Sequence, residues 1–305
     1  MRALLIKGTL LTLAAVVTGA AIYFYRPINT QAIDYVGAIQ DKHARLRHTP
    51  APRIILVGGS NVAFGTDSYK IEQALGRPVV NMGIHAGLGL IFMLNEVKAD
   101  IQRGDLIVLS PEYYIREAEY DLLELTIEFY PEAARYQPIT PFNQVPERLK
   151  RWVMQIQETV RGQGQITGND IYKRDAFNER GDLVPQVNLD EGYPIDDRHI
   201  IASKDYAAYI NQMNLFQTYA ESRGARVVFL YPSFVQTAFE RNRGAIKFYQ
   251  QQIDQQLKIP VLNQPETFSY PRAYFFDTAY HLNAQGREKR TEFTIDVLQK
   301  ELNIK

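Results

Sequence analysis

Ser60 directly follows the apolar run RIILVGG, in the stretch GGSNVAFG, where two glycines let the backbone turn sharply before a helix begins. A hydroxyl placed there stands at the carboxyl edge of a strand with backbone N–H groups beside it, as a nucleophilic serine requires. Taken alone, a Gly-Gly-Ser turn reads first as a structural turn, since such turns are common. A second group of reactive residues lies near the carboxyl end in FFDTAYHLNAQG, which holds Asp277 and His281 ahead of the last helix. His281 can act as general base toward Ser60, and Asp277 can hold its other nitrogen and stabilise the imidazolium as the serine attacks. A lone His at a helix start usually caps the helix or faces solvent. A strand-end Ser combined with a carboxyl-terminal Asp and His is a rarer arrangement.

The elements that must position these residues begin at Arg53, where strand, Gly-containing turn and helix start to alternate, the pattern of a parallel sheet with crossover helices. Strands are expected in RIILVGGS, RPVVNMG, DLIVLSPEYY, ARVVFLYPSF and KIPVLNQP, the first apolar on both faces as a buried parallel strand is. Helices are expected in DSYKIEQALG, capped by Asp67 or Thr66 and stopped at Gly76, in GLGLIFMLNEVKADIQRG, from about Lys204 to Arg223, ahead of KIPVLNQP, and from near Asn283. The expected fold class is α/β, a three-layer sandwich around a five-stranded parallel sheet, with ligands at the carboxyl ends of the strands. Between about residues 113 and 203 lies an insertion, read as helical stretches from Glu117 to Phe129 and Pro146 to Val160, then a hairpin turning at Asn178 to Asp182. A cap over the active edge and a structural embellishment are its two readings.

GGSNVAFG after the first strand, NMGIHAGLG after the second and DTAYHLNAQG before the last helix resemble blocks I, II and V of the SGNH (GDSL-like) hydrolase superfamily. The resemblance runs from about Arg53 to Val297 with the insertion between. It implies a flavodoxin-like α/β/α sandwich, Ser60 as nucleophile, Gly83 as a backbone oxyanion donor beside the Ser60 N–H, Asp277 and His281 as the rest of the triad, and no cofactor. Asn61 and Glu112 join Gly83 as candidates at the oxyanion and substrate site. Two departures stand out. Where block III of the family places an oxyanion-binding Asn, this chain has SPEYY with Glu112, and a carboxylate near a developing oxyanion is unfavourable unless protonated or turned to another partner. Asp277 and His281 are also four apart where the family usually has three. The GND at Gly168 to Asp170 lies inside the insertion without a preceding strand, and is read as coincidence.

The segment MRALLIKGTLLTLAAVVTGAAIYFYR carries Arg2 and Lys7 ahead of a mostly apolar stretch long enough to span a bilayer, followed by Tyr23, Phe24, Tyr25 and Arg26. It reads as an uncleaved membrane anchor over residues 1–26, with a cleaved signal peptide as the alternative, a polar stalk over 27–52 and a catalytic domain over 53–305 on the extracytoplasmic side. In the family such anchored branches include proteins similar to the D-alanyl transfer protein of the lipoteichoic acid pathway and alginate O-acetylation proteins. The implied function is an esterase or O-acyltransferase on an acylated glycan or envelope polymer, with a membrane acyltransferase as a candidate partner. A catalytically degenerate accessory subunit and a phosphate or nucleotide binder are the competing readings.

Composition narrows the field further. Among 305 residues, Lys+Arg 34 balances Asp+Glu 34, so no basic face for nucleic acid is indicated. With no cysteine, thiol catalysis, disulfides and Cys-based metal sites are excluded. His85 reads as packing near Gly83. His199 with Asp196 and Asp197 is thin support for a metal, and His43 and His48 fall in the expected stalk. Tyr113, Tyr114, Trp152, Tyr193 and Tyr231 could stack on sugars, but in a chain with 19 tyrosines they read first as core.

Overall fold

The computed structural model describes residues 6–14, 16–17, 34–113, 115, 117–137, 171–188, 195, 197–198 and 200–303. Four parallel strands, β1 (Ile54–Gly58), β2 (Val79–Asn81), β3 (Leu106–Ser110) and β4 (Arg226–Phe229), form one sheet in the order β2-β1-β3-β4. Ile54 to Gly58 run in register with Leu106 to Ser110. The chain leaves β1 for β2 on one side and returns to β3 on the other, so a crevice opens between the carboxyl ends of β1 and β3.

Alternation along β1 sends Ile55 and Val57 to one face and Ile54 and Leu56 to the other, and helices cover both. On the first face lie α4 (Gly89–Lys98), α6 (Ala207–Ser222) and, after the short α7 (Gln236–Arg241), α8 (Arg243–Gln256), with Leu94, Phe216 and Ile253 among the residues that α4, α6 and α8 contribute. On the second lie α3 (Ser68–Leu75) and α9 (Ala284–Leu302), with Ile71, Leu75 and Leu298. The punctuation read from sequence is where it was expected. Asp67 accepts from the Lys70 N–H, Gly76 closes α3 at φ 62°, and Asn283 accepts from the Gln285 and Gly286 N–H groups. The helix expected to reach Gly104 stops at Lys98.

Two expectations need correction. KIPVLNQP supplies a single parallel bridge, Phe229 to Val261, instead of a fifth strand. Pro260 has no N–H to give, and beyond Val261 the Asn263 side chain takes over both sides of the next ladder position, accepting from the Tyr231 N–H at 2.7 Å and donating to its carbonyl at 3.3 Å. The second correction concerns the stalk. Residues Asp34–Ala38 form a 3-10 turn that leads into α1 (Ile39–His48), and this unit is part of the globular body. Its inner face is Ile39, Lys42, His43 and Leu46, all buried. His43 is therefore interior, stacked against Tyr130 and Tyr136 with ring centroids 4.7 and 5.4 Å away.

Behind α1 the fully buried Arg53 donates to the Leu46 and Thr49 carbonyls and pairs with Asp105 at 3.2 Å, so the junction expected to be a linker is locked.

The insertion begins with α5 (Tyr120–Phe129), close to the expected helix, whereas the stretch expected over 146–160 lies outside the described residues. The hairpin is present. Phe177 bridges Leu183 antiparallel, and the turn closes with Asn178 N–H to Asp182 O at 2.8 Å. Its base is buried. Asp182 takes the Ser68 N–H and hydroxyl, the Asn81 amide and Arg287. A separate core of Tyr35, Ile39, Phe64, Leu123, Ile171, Leu183 and Phe276 joins the insertion to α1 and to the loop before α9. Residues 6–14 are helical and exposed; among the described residues no helix is long and apolar enough to cross a membrane, and most of the remainder of 1–26 lies outside them.

Candidate active site

Ser60 opens a short helix, α2 (Ser60–Gly65), at the carboxyl end of β1. The turn needs both glycines for space: a Cβ on Gly58 would strike the Ser110 carbonyl, and one on Gly59 would strike the Glu112 carboxylate and lie 2.7 Å from the Ala86 nitrogen. β3 delivers Glu112 to the same crevice two residues after Ser110. Ser60 is partly exposed, and among the described residues its hydroxyl has no hydrogen-bond partner.

Asp277 and His281 come together as expected. The loop that carries them is pinched by an antiparallel bridge between Phe275 and Leu282 and by the Thr278 hydroxyl, which accepts from the Tyr280 and His281 N–H groups. That four-residue spacing brings His281 Nδ1 to 2.8 Å from Asp277 Oδ1. A carboxylate only accepts, so Nδ1 carries the hydrogen and Nε2 is left with the lone pair a general base uses. The imidazole lies flat on Phe64, centroids 3.9 Å apart and planes within 7°, and Phe64 is one turn along α2 from Ser60.

The oxyanion candidates are placed differently. Gly83 presses on the serine turn so closely that a Cβ would lie 2.7 Å from Val62 Cβ and 2.8 Å from the Gly59 carbonyl. Its N–H, however, is given to Asn81 Oδ1 at 2.9 Å, so the expected donor is engaged. Asn61 has no exposed surface to offer a ligand. Its amide donates to the Ser110 carbonyl at 2.9 Å and its own carbonyl accepts from Arg290 Nη1 at 2.6 Å. Glu112 is also buried. Oε1 accepts the Asn61 N–H at 3.0 Å, and among the described residues Oε2 has no partner. Burial lowers the Arg290 pKa to about 10, with Tyr270 and Glu112 opposing the shift, so Arg290 remains a cation at neutral pH. Through Asn61, whose N–H faces Glu112 and whose C=O faces Arg290, the two opposite charges flank the first turn of α2.

Two residues that sequence reasoning passed over complete the surroundings. Tyr172, from the insertion, donates its hydroxyl to Asp277 Oδ2 and stands 3.1 Å from His281 Nδ1. Burial, then the charge of Asp277, raises its pKa well above the usual phenol value. Tyr35 packs on Tyr172, donates to the Ile84 carbonyl at 2.5 Å, and has its pKa raised by burial and then by Glu112 and Asp277. Neither carries a local signal: Tyr35 lies in a polar stretch ahead of the first strand, and Tyr172 on one side of a hairpin, each far in sequence from Asp277.

Of the residues set aside, His85 caps the turn Ala86–Leu88 by accepting the Gly87 N–H. Asp197 is tied to Thr237 and Arg241. Tyr113 and Tyr231 are core residues, and Tyr114, Trp152, Asp170, Tyr193, Asp196 and His199 lie outside the described residues. Among the described residues no three His, Asp or Glu side chains gather for a metal. A half-open cavity of about 390 Å³ between α1 and the hairpin, lined by Asp41, Lys42, Arg174, Phe177 and Gly181, contains none of the expected site residues. No family model matches the chain, and comparison with curated proteins finds no relative.

Proposed function

We propose that this chain is an SGNH-type serine esterase or O-acyltransferase, held by its amino-terminal segment at a membrane and acting outside it on an acylated glycan or envelope polymer. The observation that carries the reading is the hydrogen-bonded Asp277–His281 pair, seated on the helix whose first residue is Ser60. Ser60 Oγ attacks the ester carbonyl while His281 Nε2 takes its proton. The tetrahedral intermediate expels the alcohol, which receives that proton, and leaves an acyl-serine. Water or a sugar hydroxyl, deprotonated in turn by His281, then attacks the acyl-serine and releases the acid or the transferred ester. Nothing in this cycle calls for a cofactor.

A second reading, a binding or accessory subunit that keeps the fold without the chemistry, has its own support. Gly83 gives its N–H to Asn81, Asn61 gives its N–H to Glu112, and a carboxylate stands where a neutral amide donor would be needed. One experiment separates the two: fluorophosphonate labelling and short-chain ester turnover by the full chain, with Ser60→Ala and His281→Ala beside it. The enzyme reading predicts labelling of the parent, none of Ser60→Ala and a loss of about a thousandfold or more in His281→Ala. A folded parent that takes no label favours the accessory subunit.

A further inference from the structure

Among the described residues, the insertion reaches the candidate dyad through one side chain. Tyr172 is 105 positions from Asp277 in sequence, yet its hydroxyl donates to Oδ2 while Oδ1 receives the hydrogen on His281 Nδ1. Both carboxylate oxygens are thus engaged, by partners from separate elements. Having given its hydrogen to Asp277, the Tyr172 oxygen can only accept toward Nδ1 at 3.1 Å. The ring is held from two sides, by Phe64 with a centroid 5.7 Å away and by Tyr35 at the same distance. Tyr35 is fixed in turn by its bond to the Ile84 carbonyl and its packing on Phe177. A tyrosine oriented this firmly against a carboxylate does more than fill space.

We propose that Tyr172 is a positioning residue for His281: its O–H fixes the rotamer of Asp277 so that Oδ1 faces Nδ1, and it draws charge from the carboxylate, limiting how strongly Asp277 stabilises the imidazolium. The insertion is then part of the catalytic apparatus as well as a cover over it. This inference rests on reading Asp277 and His281 as the working dyad. Among the described residues, the titratable groups that face His281 are Asp277 on its own loop and Tyr172 from the insertion. Phe64 covers the ring from α2, Tyr35 lies behind Tyr172, and Glu112 acts on Tyr35 from the loop after β3.

The test is the pH dependence of carbethoxylation of His281 by diethyl pyrocarbonate, read by peptide mass spectrometry on the full chain. The reagent attacks only the neutral imidazole, so no activity is needed. Removing the donor in Tyr172→Phe returns charge to Asp277 and favours the imidazolium, so the midpoint is expected to move up by about one pH unit. Tyr35→Phe, which loses a bond to a backbone carbonyl and none to the dyad, is expected to leave it in place. Should Tyr172→Phe fold poorly, 3-fluorotyrosine introduced at 172 gives a stronger donor of nearly the same shape, and the midpoint is expected to fall. A midpoint that stays put or moves the other way in a folded variant overturns the proposal. If Ser60 takes no label but the Tyr172→Phe midpoint still rises, the enzyme reading fails while the coupling of Tyr172 to the dyad stands.

Discussion

Glu112 concentrates the chemistry of the serine turn in one side chain. It lies against Gly59, holds the N–H of Asn61, and keeps one buried oxygen without a partner among the described residues. An acyl transfer run beside it has to build negative charge near an existing carboxylate, with Arg290 on the far side of Asn61 as the compensating cation. Glu112→Gln keeps an oxygen for Asn61 and replaces the other by an amide donor. Because a single oxyanion donor is worth about a hundredfold or more in rate, the labelling rate of Ser60 by fluorophosphonate is expected to rise by about tenfold or more in this variant. An unchanged rate would place the carboxylate outside the path of the reacting oxygen.

At the level of elements, α1 and the hairpin meet through Lys42. Its ammonium, fully buried, donates to the Asn81 carbonyl at 2.9 Å and the Gly181 carbonyl at 2.5 Å, and sits 4.5 Å from the centre of the Phe177 ring. Among the described residues no carboxylate pairs with it directly. Burial brings its pKa down to about 7, against the opposing influence of Asp182, Glu96 and Asp41. The folded value lies below the unfolded 10.5, so between about pH 7 and 10.5 the unfolded chain binds more protons and stability rises with pH. Denaturant unfolding at pH 7, 8 and 9 is expected to show this as up to about 1 kcal/mol per pH unit, and Lys42→Met should flatten that component of the slope. Equal slopes in parent and variant would mean that Lys42 keeps its ordinary proton affinity when folded.

For the whole molecule, the amino-terminal boundary of the folded unit is the main consequence of these contacts. Tyr35, Val36, Ile39 and Leu46 are buried, and Arg53 places its guanidinium on carbonyls at the end of α1. At about 1.5–3 kcal/mol for each large apolar side chain, that burial is comparable with the total stability of a typical domain. A chain starting at Asp34 is therefore expected to fold cooperatively, and one starting at Arg53 to lack a cooperative transition, as circular dichroism with thermal melting would report. A cooperative melt from the shorter chain would reduce α1 to an accessory layer.

The four parallel strands were legible because each is a short apolar run ending at a turn. The caps at Asp67, Gly76 and Asn283 were legible because capping acts within three or four residues. Ser60 fell at the end of β1 by the same local logic, and the four-residue spacing of Asp277 and His281 let the two meet within one pinched loop. α1 was hidden because its inner stripe contains Lys42 and His43, so a buried helix resembles a polar stalk until Asn81, Gly181, Tyr130 and Tyr136 close around it. The fifth strand was overread because its apolar pattern says nothing of the Asn263 side chain replacing the ladder. By itself the sequence determined where the strands end and which reactive groups stand there. Tertiary structure alone decided that Asn61 donates to Glu112 and that Tyr172 reaches Asp277 from the insertion. A hydrogen bond belongs to whichever acceptor is nearest in space, and the spacing of residues along a chain does not carry that distance.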